Sequence, residues 1–188
     1  NEYFGPLGSE KYQEYVHDIQ YSGTHMLALV NDVLDISAIE AGKRTFQPET
    51  INIDELLASC LRNVEKLAED KGVSLSLEKA GDLAPFQADR RSMTQIFNNL
   101  LSNAVKFTDK DRKVEIQLKT GEKDIEVRIV DEGIGIATEQ VEKLFRIDEK
   151  FKSTGTAGEK GTGLGLSISQ NIIKLHGGQI MLESPEDG

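Results

Sequence analysis

The sequence predicts an α+β protein in which a long α-helix from a helical bundle precedes an α/β sandwich, a mixed sheet with helices on one face. Two observations support this fold class. The first part of the chain carries a heptad seam of apolar residues, which is typical of a bundle helix. After Pro48, helical apolar stripes interleave with segments in which apolar residues mostly alternate, which is typical of helices layered on a sheet.

The long helix is predicted between an opening rich in Gly, Pro and Ser and a natural helix stop at Gly42. Its seam residues lie three and four positions apart: Val16, Ile19, Gly23, Met26, Val30, Val33 and Ser37, widened by Leu27 and Leu34. One amphipathic helix of this length cannot bury its own seam, and residues 1–11 cannot supply a partner helix. We therefore expect residues 1–46 to be part of a bundle domain whose first helix is absent, and residues 47–188 to be a second domain.

The second domain is predicted to begin with a helix whose capping box is Asn52 and Glu55. Its further elements follow from periodicity and turn residues: a strand at 73–79, a helix over 89–108, a hairpin of strands at 114–118 and 125–129, a short helix near 138–145, a glycine-rich helix that ends near Leu175, and a strand within 178–184.

Composition narrows the classes of function. The 188 residues carry a net charge of −10, which argues against a nucleic-acid partner because such proteins need a basic face for phosphates. A single cysteine, Cys60, excludes an intrachain disulfide and fits a reducing compartment. No apolar run has the length of a membrane span, so we expect no membrane contact by this part of the protein.

One candidate site lies on the helix over 89–108. Asn99, Asn103 and Lys106 are spaced four and three apart, so they stack on the face opposite the apolar stripe. Two carboxamide oxygens and an ammonium in one row can serve a hydrated Mg²⁺ and a phosphate. The alternative for this row alone is an ordinary solvated helix face.

A second candidate site is the segment "DEGIGI", which ends a predicted strand. Asp131 can accept a hydrogen bond from an exocyclic amine, and Ile134 and Ile136 can form an apolar wall for a flat ring. Gly133 and Gly135 let a ligand approach the backbone. The alternative is a tight turn after a strand.

A third candidate site is the glycine run 158–165, which leads into a helix. Free N–H groups and the positive end of the dipole make a helix N-terminus suitable for phosphate. The run is not a P-loop, since no Gly-Lys-Ser/Thr ends it.

Together these motifs resemble the ATP-binding domain of sensor histidine kinases, within the superfamily of gyrase, Hsp90 and MutL ATPases. "NNLLSNAVKFT" looks like the N box, "DEGIGI" and "GEKGTGLGLSIS" like the two glycine boxes, and "LFRIDEKF" like a shortened phenylalanine box. The upstream helix is similar to the second helix of the dimerisation and histidine-phosphotransfer domain. The fold implied for residues 47–188 is a Bergerat-type α/β sandwich.

The resemblance implies a site for ATP and Mg²⁺. Asp131 would read the adenine amine, Asn103 would hold Mg²⁺ with support from Asn99, and Lys106 would meet the phosphates. The remaining nucleotide-binding positions implied by the motifs are Phe107, Gly133, Gly135, Ile136, Arg146, Gly161, Thr162, Gly163, Leu164, Gly165 and Leu166. Residues 145–162 would form a mobile lid.

The implied reaction is transfer of the ATP γ-phosphoryl group to a histidine on the absent first bundle helix, for relay to a response-regulator aspartate. Related ATPases carry Glu where Asn99 stands, and an amide cannot act as a general base at neutral pH. The implied partners are a receiver domain and, through the bundle, a second copy of the full-length parent. The implied location is cytoplasmic, with a parent that can be anchored in a bacterial inner membrane.

Other readings stay open on the sequence alone. A pseudokinase could bind nucleotide as a structural ligand and dock a regulator through its bundle. A hydrolysing ATPase is disfavoured by Asn99. An anti-sigma serine kinase would share the pocket but usually lacks the upstream heptad helix. The histidines His17 and His25 fall towards solvent. His176 lies in a last helical turn, where a cation suits the dipole, and we expect it and Cys60 to be structural.

Overall fold

The computed structural model describes residues 10–79, 83–121, 124–141, 143–145, 155–159 and 161–184. The chain divides into two compact units, residues 1–44 and 45–188. In chain order the elements are α1 (Glu10–Glu40), β1 (Glu49–Ile51), α2 (Ile53–Lys71), β2 (Ser74–Lys79), β3 (Phe86–Ala88), α3 (Arg90–Phe107), β4 (Lys113–Thr120), β5 (Ile125–Asp131), α4 (Thr138–Val141), a 3₁₀ turn (Lys143–Phe145) and α5 (Gly165–Leu175).

The first unit consists of α1 and the residues after it. The predicted seam is exposed along the helix: Met26 is 66% and Val30 is 51% accessible. An ion pair of 3.4 Å between Arg44 and Asp35 ties the end of the unit back to the helix. Among the described helices, none combines the length and the apolar character that crossing a membrane requires.

The second unit contains the predicted mixed sheet. Its strand order is β2-β4-β5, with β2 parallel to β4 and β4 antiparallel to β5. Val114, Ile116 and Leu118 alternate along β4 and are at most 1% exposed. Val114 packs in a core cluster with Ala68 of α2 and Val105 of α3. The helices therefore cover this face, as the alternation predicts. Burial of each of these aliphatic side chains contributes roughly 1.5–3 kcal/mol to the stability of the fold.

The caps of α2 and α3 follow from the sequence. The Asn52 side-chain oxygen accepts hydrogen bonds from the N–H groups of Asp54 and Glu55, at 2.9 and 3.3 Å. Gly72 ends α2 at a φ of 72°, a left-handed conformation that glycine adopts without strain. Asp89 caps α3 by accepting the Ser92 N–H at 2.8 Å.

One strand prediction was wrong, and two short strands were not predicted. The strands β1 and β3 form a small antiparallel sheet that sequence reasoning missed, because three residues are too few to show an alternation. Residues 178–184, predicted as a strand, contain none in the part that the structure describes. Alternation alone supplies no ladder partner: the Ile180 N–H instead donates to the Gln170 side-chain oxygen at 3.3 Å.

Candidate nucleotide site

The C-terminal end of α3 is the centre of the candidate site. The last carbonyls of a helix receive no hydrogen bond from within the helix, so donors outside it must satisfy them. The Lys106 carbonyl accepts the Thr156 N–H at 3.0 Å, and the Phe107 carbonyl accepts the Ile134 N–H at 3.1 Å. These two bonds bring the predicted lid region and the first glycine box to the same helix end.

The first glycine box is packed tightly against this helix end. Thr108 and Gly133 form an antiparallel bridge. A Cβ on Gly133 would lie 2.6 Å from the Phe107 carbonyl oxygen and 2.5 Å from an Asp131 carboxylate oxygen. Glycine is therefore required here by the protein's own backbone, whereas the motif predicts a glycine that lets a ligand approach.

Asp131 is fixed by one hydrogen bond. The Gly133 N–H donates to its Oδ1 at 3.0 Å. Desolvation of the carboxyl raises the pKa of Asp131 above its ordinary value, and the bond from Gly133 lowers it by less. Its Oδ2 has no hydrogen-bonding partner among the residues that the structure describes, so this atom is available to accept from an amine.

Of the three half-buried side chains that stack on one face of α3, one is bonded to a described residue and two are not. The Asn99 amide donates to the Ser169 hydroxyl at 2.9 Å, which ties α3 to α5. Asn103 is half-buried, and neither its carboxamide nor the Lys106 ammonium has a partner within the described ranges. The carboxamide oxygen of Asn103 is thus suited to be a ligand of Mg²⁺. No group of three His, Cys, Asp or Glu residues in those ranges offers a competing metal site.

The N-terminus of α5 carries no side-chain cap. Gly163 precedes it at a φ of 74°, and the Leu164 N–H donates to the Thr162 hydroxyl at 3.3 Å. The first backbone bond is the one that Ile168 donates to the Leu164 carbonyl at 3.0 Å. The amides of Gly165 and Leu166 therefore lack a backbone acceptor among the described residues, which suits an anion.

The glycines of this run differ in their surroundings. A Cβ on Gly165 would lie 2.2 Å from the Asn99 Oδ1, whereas a Cβ on Gly161 would come no nearer than 4.0 Å to Gly163. Gly165 is thus needed for packing between α5 and α3. Gly161 is exposed and leaves space that a phosphate can use.

Not every predicted residue is brought to the helix end by a contact. Gly135 has a φ of 67°, and the Ile136 N–H donates to the Ser184 hydroxyl at 3.1 Å. Phe107 is itself the last residue of α3, and its side chain and that of Leu166 are half-buried. Arg146 lies outside the described residues, as does most of the predicted lid.

Sequence reasoning missed Lys71, Thr156 and Glu159, which join the 155–159 segment to α2 and α3. Their partners are distant in the chain, and no local spacing signals them. Ser169 was missed for the same reason, although it lies one turn into the glycine-rich helix.

His176 is structural and His17 is exposed, as expected, whereas His25 is half-buried. His176 accepts the Asp89 N–H at Nε2 (3.3 Å), and its Nδ1 lies 2.8 Å from the Ile172 carbonyl. A neutral imidazole with its proton on Nδ1 satisfies both contacts. The charged form of His176, which its position at a helix C-terminus would favour, is therefore not needed. His17 is exposed, and His25 stacks on Tyr21 with ring centroids 6.5 Å apart.

Known proteins resemble this chain along nearly its whole length. Two relatives from Caulobacter vibrioides are each 38% identical to it: "Non-motile and phage-resistance protein" over 193 residues and "Histidine protein kinase DivJ" over 184 residues. The matches cover 100% and 96% of this chain. The chain spans 23% of the first relative and 30% of the second.

Two solved structures have the same fold. ShkA, solved full-length in complex with AMPPNP, is 26% identical with a TM-score of 0.75, over 92% of this chain and 35% of that one. Histidine kinase ThkA in complex with response regulator protein TrrA is 22% identical with a TM-score of 0.74, over 97% of this chain and 50% of that one. The second likeness concerns the fold alone.

The family comparison covers the part of the chain that holds all three candidate motifs. The profile described as "Histidine kinase-, DNA gyrase B-, and HSP90-like ATPase" matches residues 88–188. This span begins at the last residue of β3 and includes α3, the first glycine box and α5. The chain therefore belongs to the family of histidine kinase-, DNA gyrase B- and HSP90-like ATPases.

Proposed function

We propose that this chain is the ATP-binding catalytic portion of a sensor histidine kinase. It would transfer the γ-phosphoryl group of ATP to a histidine on a bundle helix, for relay to an aspartate of a response regulator. Residues 1–46 would be part of the dimerisation and phosphotransfer domain, and residues 47–188 the catalytic domain. The observation that supports this most is the attachment of both glycine boxes to α3, next to the available Asn103 and Lys106.

The base end of the nucleotide would lie at Asp131. Its Oδ2 would accept the adenine amine while Oδ1 stays bonded to Gly133. Phe107, Gly135 and Ile136 would border the ring. Because the carboxylate is held by β5 and by the bridge to α3, it is oriented before the base arrives, which lowers the entropic cost of binding.

The phosphate end would lie between α3 and α5. The Lys106 ammonium and the uncapped amides of Gly165 and Leu166 would bind phosphate oxygens, and the open backbone from Gly161 to Gly163 would allow close approach. Asn103 would hold Mg²⁺ through its oxygen, with Asn99 next to it. The ion, when bound, would neutralise phosphate charge that develops during transfer.

Phosphoryl transfer fits these residues better than hydrolysis. Catalysis of transfer depends mainly on positioning and charge stabilisation. Asn99 is not a base at neutral pH, and its amide nitrogen is already engaged with Ser169. Lys106 would stabilise the charge of the phosphates.

Partners of the whole protein are proposed on comparison. A histidine kinase of this fold was solved with a response regulator, and the exposed seam of α1 is suited to a bundle formed with a second copy of the parent. A receiver domain and a homodimer are therefore the partners proposed. The proposed location of this part of the protein is cytoplasmic.

The first test is calorimetric titration of AMPPNP into this chain, with and without Mg²⁺, and into Asp131→Asn. We expect Mg²⁺-sensitive binding that the substitution weakens by roughly 10- to 150-fold, because a hydrogen bond to a charged group contributes about 1.5–3 kcal/mol. The matched control is Asp70→Asn, since Asp70 is an exposed partner of Lys66, and it should bind normally.

Two outcomes would contradict the proposal. Absence of AMPPNP binding in the unmodified, folded chain would remove the nucleotide site and favour a scaffold that docks a regulator without nucleotide. Appreciable release of inorganic phosphate from ATP would favour a hydrolysing ATPase, and the role of Asn99 would then have to be revised.

A further inference from the structure

An ion pair with little solvent exposure lies at the C-terminal ends of α2 and α3, next to the candidate site. Lys71, the last residue of α2, places its ammonium 2.8 Å from Oε1 of Glu159, and the two side chains are 7% and 19% exposed. The same ammonium donates to the Lys106 carbonyl. Lys71 therefore joins the end of α2, the end of α3 and the segment that leads to α5.

Glu159 belongs to a closed turn of residues 155–159. The Gly155 N–H donates to the Glu159 carbonyl, and the Gly158 N–H donates to the Gly155 carbonyl, both at 2.9 Å. The Glu159 Oε2 accepts the Ala157 N–H at 2.9 Å. Both carboxylate oxygens are thus engaged, one inside the turn and one with Lys71.

The turn is seated on α3 with little free space. The Thr156 N–H donates to the Lys106 carbonyl at 3.0 Å, and the Thr156 hydroxyl donates to the Thr108 carbonyl at 3.2 Å. A Cβ on Gly155 would lie 2.8 Å from the Lys106 carbonyl oxygen. The turn can take this position only with glycine at 155.

Such a pair is better suited to fixing a position than to raising stability. The desolvation of two charges offsets much of their attraction, so a buried pair contributes little net stability, although removing one partner leaves an unpaired buried charge. Desolvation acts to raise the pKa of Glu159, but the bonds from Lys71 and the turn amides together lower it below its ordinary value. The carboxylate therefore stays charged and paired near neutral pH.

We propose that Lys71 is a positioning residue of the nucleotide site. Its pair with Glu159 fixes the 155–159 turn against Lys106, so that the glycine run beginning at Gly161 is presented beside that lysine. This inference rests on the proposed function. It extends the site to a residue of α2 that lies outside the span matched by the family profile.

Loss of the Lys71–Glu159 pair should affect the two ends of the nucleotide differently. The turn leads to the glycine run, where phosphates would bind, whereas Asp131 is held through Gly133 and the Phe107 carbonyl without Lys71. Losing the pair should therefore weaken binding of a triphosphate and leave binding of adenosine nearly unchanged. A purely structural role would weaken both together.

The experiment compares AMPPNP and adenosine by calorimetry in the unmodified chain and in Lys71→Met. We expect AMPPNP affinity to fall by about tenfold or more, equivalent to about 1.4 kcal/mol or more, and adenosine affinity to change by less than about twofold. Lys66→Met is the matched control, because Lys66 is also on α2 and paired with an acidic residue but is 77% exposed; it should bind both ligands normally.

Two further variants keep the test decisive. Lys71→Arg retains the charge and should restore most of the AMPPNP affinity. Glu159→Gln removes the ion pair but can still accept the Ala157 N–H, and it replaces Lys71→Met if that variant does not fold. Hydrogen exchange at the Gly155 and Thr156 amides should accelerate in the variant that loses the pair.

The outcomes are distinguishable. Unchanged AMPPNP affinity in the variant that loses the pair, or a parallel loss of AMPPNP and adenosine binding, would overturn the inference. If the unmodified chain bound neither ligand, the proposed function itself would fail, and the role of Lys71 with it.

Discussion

Replacing Gly165 with alanine should destabilise the second unit through a clash with one identified side chain. The new Cβ would lie 2.2 Å from Oδ1 and 2.7 Å from Cγ of Asn99. Both distances are under 3.0 Å, a separation that Cβ contacts in proteins essentially never show. Asn99 would have to rotate and lose its bond to Ser169, which costs about 1 kcal/mol. Overpacking adds about 1–3 kcal/mol, and alanine returns at most about 1 kcal/mol of helix propensity. We expect a net loss of about 1–3 kcal/mol.

Urea denaturation followed by circular dichroism measures this loss. In an Asn99→Ala background the clash and the bond to Ser169 are both absent, so the whole cost of Gly165→Ala, about 1–3 kcal/mol, should disappear, a coupling typical of residues in contact. Gly161→Ala is the matched control: its Cβ has open space, and its cost should stay within about 0.5 kcal/mol. Equal costs at the two glycines, or an unchanged cost in the Asn99→Ala background, would refute the packing argument.

Two predictions concern titrating groups. Burial raises the pKa of the Cys60 thiol to about 11, so a thiol reagent at pH 8 should label the native chain far more slowly than the urea-unfolded chain; equal rates would contradict burial. The pKa of Glu159 is lowered from 4.5, so Glu159 contributes stability that is lost as pH falls through its native pKa. The pKa of Asp131 is raised from 3.8, so Asp131 contributes stability that is lost as pH rises through its native pKa. Unfolding free energies between pH 3 and 7 should therefore depend less on pH in Glu159→Gln and more in Asp131→Asn, and the reverse order would contradict these assignments.

Much of the fold could be predicted because its signals are local. The alternation of Val114, Ile116 and Leu118 predicted a strand with one buried face, and all three are buried. Asn52 predicted the start of α2, and its side chain caps that helix. In each case the information lies within a few residues, at the period of the element itself.

The rest depends on contacts between distant parts of the chain. Lys71 and Glu159 form a pair that neither neighbourhood indicates, because a lysine in a last helical turn and a glutamate in a polar loop are both ordinary. The strand predicted within 178–184 failed for a related reason: its apolar alternation is local, but a strand exists only where a neighbouring strand supplies hydrogen bonds. The motifs could locate the candidate site along α3, while the bonds that assemble it could not be read from spacing.

The glycines show why a motif and a binding site are not the same thing. Gly133, Gly155 and Gly165 each leave room for a protein atom, and a side chain there would meet α3 or the site's own acidic groups. Gly161 meets nothing comparable. The glycines of this site thus have two different roles. Some allow their segments to pack onto α3, and others leave backbone open to a ligand. Substitutions at the first kind should lower stability and binding together, whereas a substitution at Gly161 should lower binding alone, and only the second result measures contact with the nucleotide.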